Sequence, residues 1–129
     1  MKQFGILVLL VFGMTLSSCH KHDDIEVNIE VVSPADGQLV ATPQTTQFTV
    51  VFTATGELHD IRIKVYPVNN PDDLIIDFDK HEHKKTFTFS EIRDLSGYPA
   101  GSSFNMDIEA DKDEKGTEKE VRKISFRIP

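Results

Sequence analysis

The chain has 129 residues, with one cysteine and no tryptophan. A single thiol cannot close an intramolecular disulfide, so any fold here must hold together without one. Basic residues are outnumbered, 14 against 21 acidic, for a formal charge of −7. Nucleic-acid binding needs clusters of Lys and Arg to meet phosphates, and this balance argues against it. Long apolar runs are scarce as well. The one run, residues 4–14, falls short of the ~20 residues that a spanning helix requires. Catalytic signatures are missing too: there is no G-x-S-x-G elbow, no H-E-x-x-H and no phosphate-cradling glycine loop. The expectation is a protein that is not an enzyme.

What is present begins at the N-terminus. Lys2 supplies a positive start, residues 4–14 an apolar segment, and Leu16-Ser17-Ser18 a run ending in small residues before Cys19. That order predicts a cleaved secretory signal over residues 1–18. Leu16-Ser17-Ser18-Cys19 resembles the lipobox of bacterial lipoproteins. The resemblance implies a diacylglycerol on the Cys19 thiol, cleavage before it, and an acyl chain such as palmitate on the new amine. Several chains together make a stable anchor where one would not, and lipidation also accounts for the solitary cysteine. Residues 19–24 then form the lipidated cysteine and a polar tether, His20-Lys21-His22-Asp23-Asp24. The tether is similar to the charged stretches that direct Bacteroidota lipoproteins to the outer leaflet, which implies the outer membrane and exposure at the cell surface. Removing residues 1–18 takes away Lys2 alone among the charges and leaves 111 residues at −8, enough for one domain with a modest core.

Residues 25–129 read as strands. Ile25-Glu26-Val27-Asn28-Ile29-Glu30-Val31 alternates apolar and polar without a fault. Phe48, Val50, Phe52 and Ala54 share one parity; so do Ile61, Ile63 and Val65, then Leu74, Ile76 and Phe78, then Phe87 and Phe89, then Phe104, Met106, Ile108 and Ala110, and finally Ile124, Phe126 and Ile128. Turn-forming residues separate these runs, and Lys112-Asp113-Glu114-Lys115-Gly116 reads as a charged hairpin tip. Val121 is out of phase with its strand, which predicts a bulge or a register change near Arg122. Glu91-Ile92-Arg93-Asp94-Leu95 has room for one helical turn at most. Seven short strands predict an all-β fold, a β-sandwich ahead of a small barrel. The closing third, with Leu95, Phe104-x-Met106-x-Ile108-x-Ala110 and Gly116, is similar to immunoglobulin-like and fibronectin type III modules. It departs from them at Phe104, where tyrosine often stands and makes a corner hydrogen bond.

Histidine is the residue type that draws chemical attention. His81-Glu82-His83 spaces two imidazoles so that an extended backbone projects both from one face. His59 shares parity with Ile61 at the inward edge of its strand. Three such nitrogens approach an open zinc or copper site, although Lys80, Lys84 and Lys85 surround the pair and repel cations. His20 and His22 lie in the tether, without fixed geometry. Asp111 to Gly116 begins like a calcium loop, but Lys115 and Arg122 occupy ligand positions.

Thr55-Gly56-Glu57-Leu58-His59-Asp60 and Asp79-Lys80-His81-Glu82-His83 also resemble segments of small Bacteroidota lipoproteins with an immunoglobulin-like domain. That resemblance implies a fold and an address and no activity. The expected protein is a monomeric, lipid-anchored envelope module that binds another envelope protein or a glycan. The alternative is an envelope metal-binding protein using His59, His81 and His83.

Overall fold

The computed structural model describes residues 25–129. The signal segment 1–18, the lipidation site Cys19 and the tether 19–24 lie outside the described residues. Seven strands follow in order: β1 (Val27–Ser33), β2 (Thr46–Ala54), β3 (Asp60–Pro67), β4 (Ile76–His81), β5 (Thr86–Arg93), β6 (Ser103–Asp111) and β7 (Lys119–Arg127). They form two antiparallel sheets, β1-β2-β5 and β4-β3-β6-β7. This is the expected seven-stranded β-sandwich. In constant-type immunoglobulin domains the fourth strand joins the first sheet; here β4 pairs with β3 instead, which divides the strands three and four.

Period-two patterning makes the core. Phe48, Val50 and Phe52 of β2 face Ile61, Ile63 and Val65 of β3, Phe104, Met106 and Ile108 of β6, and Ile124 and Phe126 of β7, all buried. Phe126 bridges the sheets. Its ring lies 5.7 Å from Phe48 in an edge-to-face contact and 5.2 Å from Phe104 in a stack.

The boundaries and the irregularity depart from expectation at four places. The first strand starts two residues later than its alternation suggests, at Val27, and runs on to Ser33. Leu74 is exposed because its N–H closes a turn onto the Asp72 carbonyl, so β4 begins only at Ile76. Glu91, Ile92 and Arg93 continue β5 opposite Phe48, Gln47 and Thr46 and form no helical turn. No bulge interrupts β7: its register with β6 is continuous from Ser103↔Arg127 to Asp111↔Lys119. Val121 simply points outward, 58% exposed, opposite Glu109. The register shift falls instead in β1, between Val31 and Ser33.

The outward faces of the two sheets differ in chemistry. Behind β4-β3-β6-β7, registered rows alternate in sign, as in Asp77, Lys64, Asp107 and Lys123, an arrangement that stabilises cross-strand neighbours. Arg62 anchors the adjoining row. Its guanidinium donates to both oxygens of the buried Asp111 at 3.0 and 3.1 Å, which raises the Arg62 pKa above its ordinary value. The hairpin tip closes over this pair. Gly116, at φ +63°, stands where any Cβ would come within 3.0 Å of Asp111 Oδ2, so this position needs glycine for both backbone and space. Behind β1-β2-β5 the outward positions are Asn28, Glu30, Val32, Gln47, Thr49, Val51, Thr53, Thr86, Thr88, Ser90 and Ile92. Glu30 is the one formal charge among them.

Candidate functional site

Strand direction sorts every loop to one of two ends. The chain enters the sandwich at Ile25, and the antiparallel pairs Val27↔Ala54, Thr53↔Thr86, Asp60↔His81 and Asp111↔Lys119 lie at that same end. The entry is pinned there. Thr55 N–H donates to the Glu26 carbonyl at 3.0 Å, the Thr55 hydroxyl accepts from Glu26 N–H at 3.0 Å, and Ile25 presses on Gly56 so closely that a Cβ would meet it at 3.0 Å. Loops 55–59, 82–85 and 112–118 surround this entry end. Loops 34–45, 68–75 and 94–102 form the opposite, distal end.

All three histidines of the expected metal set lie at the entry end. His59 is 8% exposed, at the inward edge as its parity predicts, and its Nδ1 is buried with no hydrogen-bond partner among the described residues. His81 is the last residue of β4 and faces outward opposite Asp60. Its Nδ1 donates to Asp60 Oδ1 at 2.6 Å, and this bond is the main reason the Asp60 pKa lies below the ordinary aspartate value. The His83 ring meets that of His81 edge to face at 4.6 Å, and its Nδ1 lies 3.7 Å from Glu57. The His59 ring is 6.4 Å from that of His81, on the other side of the sheet edge. Period two sends residue 59 inward and residue 60 outward, and His81 follows Asp60 through the register. Among the described residues, no group of three or more His, Cys, Asp or Glu side chains stands arranged to hold a metal ion.

Glu82, between the two exposed imidazoles, is buried and braces the turn. Its Oε1 accepts from the N–H groups of His83 at 3.0 Å and Lys84 at 3.3 Å, and its Oε2 pairs with Lys80 at 3.1 Å. Those bonds hold its pKa below the ordinary value, with the His83 N–H contributing most. Lys80 in turn lies over the Phe87 ring at 4.5 Å. The sequence carries no signal for this brace beyond an acidic residue in a turn. The carboxylates read against a calcium loop are engaged internally, Asp111 by Arg62 and Asp113 by the N–H and hydroxyl of Thr117.

The distal end has a different surface. Among the described residues six large hydrophobics are exposed: Val32, Leu39, Val68, Leu74, Ile92 and Val121. Leu39, Val68 and Leu74 lie in the distal loops, and Val32 and Ile92 near the distal ends of β1 and β5; Val121 alone lies elsewhere. Hydrogen bonds hold the loops beneath them. Tyr98 Oη donates to Asp73 at 2.8 Å, Leu95 N–H to the Pro43 carbonyl at 2.8 Å, and Val68 N–H to the Ser103 carbonyl at 3.0 Å. Burial, and secondarily the Asp73 bond, push the Tyr98 hydroxyl up to about 12, so it stays a donor at neutral pH. Its ring packs edge to face on Phe104 at 5.1 Å. Sequence reasoning missed this grouping because Leu39, Val68 and Leu74 sit in turn-rich segments, outside any period. The available signal was that very mismatch, large aliphatics among Pro, Asn, Asp and Gly.

No protein-family model matches the chain, and a search of curated proteins returns no match.

Proposed function

We propose that the protein is a lipid-anchored module of the bacterial outer membrane, exposed at the cell surface, that binds another envelope protein or a glycan through its distal end. The observation that carries this reading is that, of the six large hydrophobics exposed among the described residues, five lie toward the end opposite the chain's entry. Isolated surface aliphatics are ordinary, whereas their concentration toward one end of a domain supports a contact role for that end. An anchor on Cys19 gives the arrangement its sense. The six residue steps from Cys19 to Ile25 span at most about 20 Å, which keeps the entry end near the headgroups and turns the distal loops away from them.

The test uses a triple variant, Leu39→Ser, Val68→Ser and Leu74→Ser. All three residues are between 39% and 49% exposed, so unfolding temperature should hold to within a few degrees. Enrichment of a partner from envelope extract, or retention on envelope glycans, should fall to the level of a denatured control. A partner that the triple variant keeps, and that Val121→Ser loses, would sink the distal reading.

A second reading, envelope zinc or copper binding, is favoured by one feature. His81 and His83 meet at 4.6 Å, and Asp60 holds Nδ1 of His81 so that Nε2 is left for a ligand, as outer-sphere carboxylates do at metal sites. His59 stands 6.4 Å from His81 and would have to turn toward it to join. Titration calorimetry with zinc and with copper should show binding that His81→Ala abolishes. No heat at micromolar metal would end this reading and leave the first untouched.

A further inference from the structure

The sandwich has four strand edges, and three of them are guarded. At β4 the ladder bond from Glu82 N–H to the His59 carbonyl fixes the alternation, so the free main-chain groups belong to Asp77, Asp79 and His81, acidic or polar side chains on an edge. At β7, Ser125 and Arg127 are covered by residues 37–40, with Gly37 N–H donating to the Ser125 carbonyl and Val40 N–H to that of Arg127. The rest of that edge carries Lys119 and Lys123. At β1 the register breaks between Val31 and Ser33, Glu26 precedes the strand and Glu30 lies within it.

β5 has neither a covering segment nor a break in register, and charged residues lie only toward its ends, at Lys85, Glu91 and Arg93. Its first five residues, Thr86-Phe87-Thr88-Phe89-Ser90, contain no charge and no proline, and they pair with β2 without a break. The bond from Ala54 N–H to the Lys85 carbonyl points Lys85, Phe87, Phe89 and Glu91 at β2. The N–H and C=O groups of Thr86, Thr88, Ser90 and Ile92 therefore face the open edge. None of those four has a main-chain hydrogen bond outside the sheet ladder among the described residues. A run of high β-propensity on an open edge is a template for another strand.

We infer that this edge takes a second copy of itself, with β5 pairing antiparallel to β5 of another molecule about a two-fold axis at Thr88. Opposite residues in such a pair must share a face, which restricts the register to alternate residues. Centred on Thr88, the pairing sets Thr86 against Ser90, Phe87 against Phe89 and Lys85 against Glu91. The last is a pair of opposite charges. It joins the bond that Glu91 already makes with Arg93, 3.0 Å to each oxygen. Centred on Phe89, the same strand sets Lys85 against Arg93; centred on Phe87, it sets Lys85 against Phe89. Charge thus selects the Thr88 axis. The product is one six-stranded sheet, β1-β2-β5 continued by β5-β2-β1 of the copy. Its outward face carries the uncharged Thr, Ser, Asn and Gln rows of both molecules. This departs from the monomer expected from the sequence, and it uses a different surface from the distal loops.

Disulfide trapping tests it in the full chain, purified in detergent. Directly opposed residues of a bonded pair have Cα atoms ~5.5 Å apart, within disulfide reach. Under mild oxidation Thr88→Cys should form a homodimer above the wild-type level, whose sole thiol is Cys19. The yield should be about five-fold or more above that of Thr86→Cys or Ser90→Cys, which face each other and not themselves. In the Thr88→Cys chain, Lys85→Glu and Glu91→Lys should each lower the yield, and the two together should restore it. Equal trapping at positions 86, 88 and 90, no excess over wild type, or an adduct of another mass in place of the homodimer would each overturn the inference. So would single charge reversals that leave the yield unchanged.

Discussion

Phe126→Ala should lower the unfolding temperature by roughly 15–30 °C, the consequence of losing about 3–5 kcal/mol from a domain of this size. The side chain is 2% exposed and joins the two sheets, edge-on to Phe48 and stacked on Phe104. Its removal leaves a cavity between two layers that strand pairing holds at a fixed spacing, so neighbours cannot close the gap. The damage propagates through Phe104 to Tyr98 and the distal loops. A domain with a net stability of 5–15 kcal/mol has little reserve against such a loss, and one cysteine offers no covalent staple. Phe87→Ala is the control: that ring is only half-buried, and its removal should cost less than half as much. Equal losses at the two positions would mean that Phe126 is not the link between the layers. Thermal unfolding followed by circular dichroism reads both.

Cys19→Ser should move the protein from the detergent phase to the aqueous phase, or leave it unprocessed at its precursor mass. The thiol is the atom that would carry the diacylglycerol, and serine offers no equivalent nucleophile to that modification. At about 0.8 kcal/mol for each buried methylene, several acyl chains hold a protein of this size firmly, and their loss removes the whole of that term. No helix among the described residues is long and apolar enough to cross a membrane, so the folded domain supplies no helical anchor in compensation. Detergent partition and the mass of the mature chain give the answer together. A Cys19→Ser chain that matures to the same mass and stays in the detergent phase would overturn the lipid anchor, while the sandwich and its β5 edge would stand.

The sandwich was legible because a two-residue period survives tertiary folding. Phe48, Val50, Phe52, Ile61, Ile63, Val65, Phe104, Met106 and Ile108 are all buried on the parity that their spacing predicts. Val121 was misread because one apolar residue on an outward parity resembles a slip, and the registered row of Asp79, Arg62 and Glu109 beside it becomes visible only once strands are paired. The histidines show the same division. The inward parity of His59 could be read along its own strand. The outward placement of His81 depended on its pairing with Asp60, a fact about two strands that neither contains alone. Asp111 shares the outward parity of Glu109 and Asp107 and would be read as solvated, yet Arg62 and the hairpin tip bury it. The distal aliphatics were hidden for another reason: loops have no period, so their grouping depends on where the strands end.

The entry at Ile25 and the final strand run to opposite ends of the sandwich, and that sets how the molecule would bear a load. With the membrane holding one end and a partner drawing on the other, tension runs along the strands. The segment at residues 37–40 lies parallel to Arg127, and its bonds to Ser125 and Arg127 would be loaded in shear. Bonds loaded that way must give together, whereas an end-on peel breaks them singly. Under the proposed anchor and distal contact, the geometry that presents the distal loops would also carry tension through the sandwich from one end to the other.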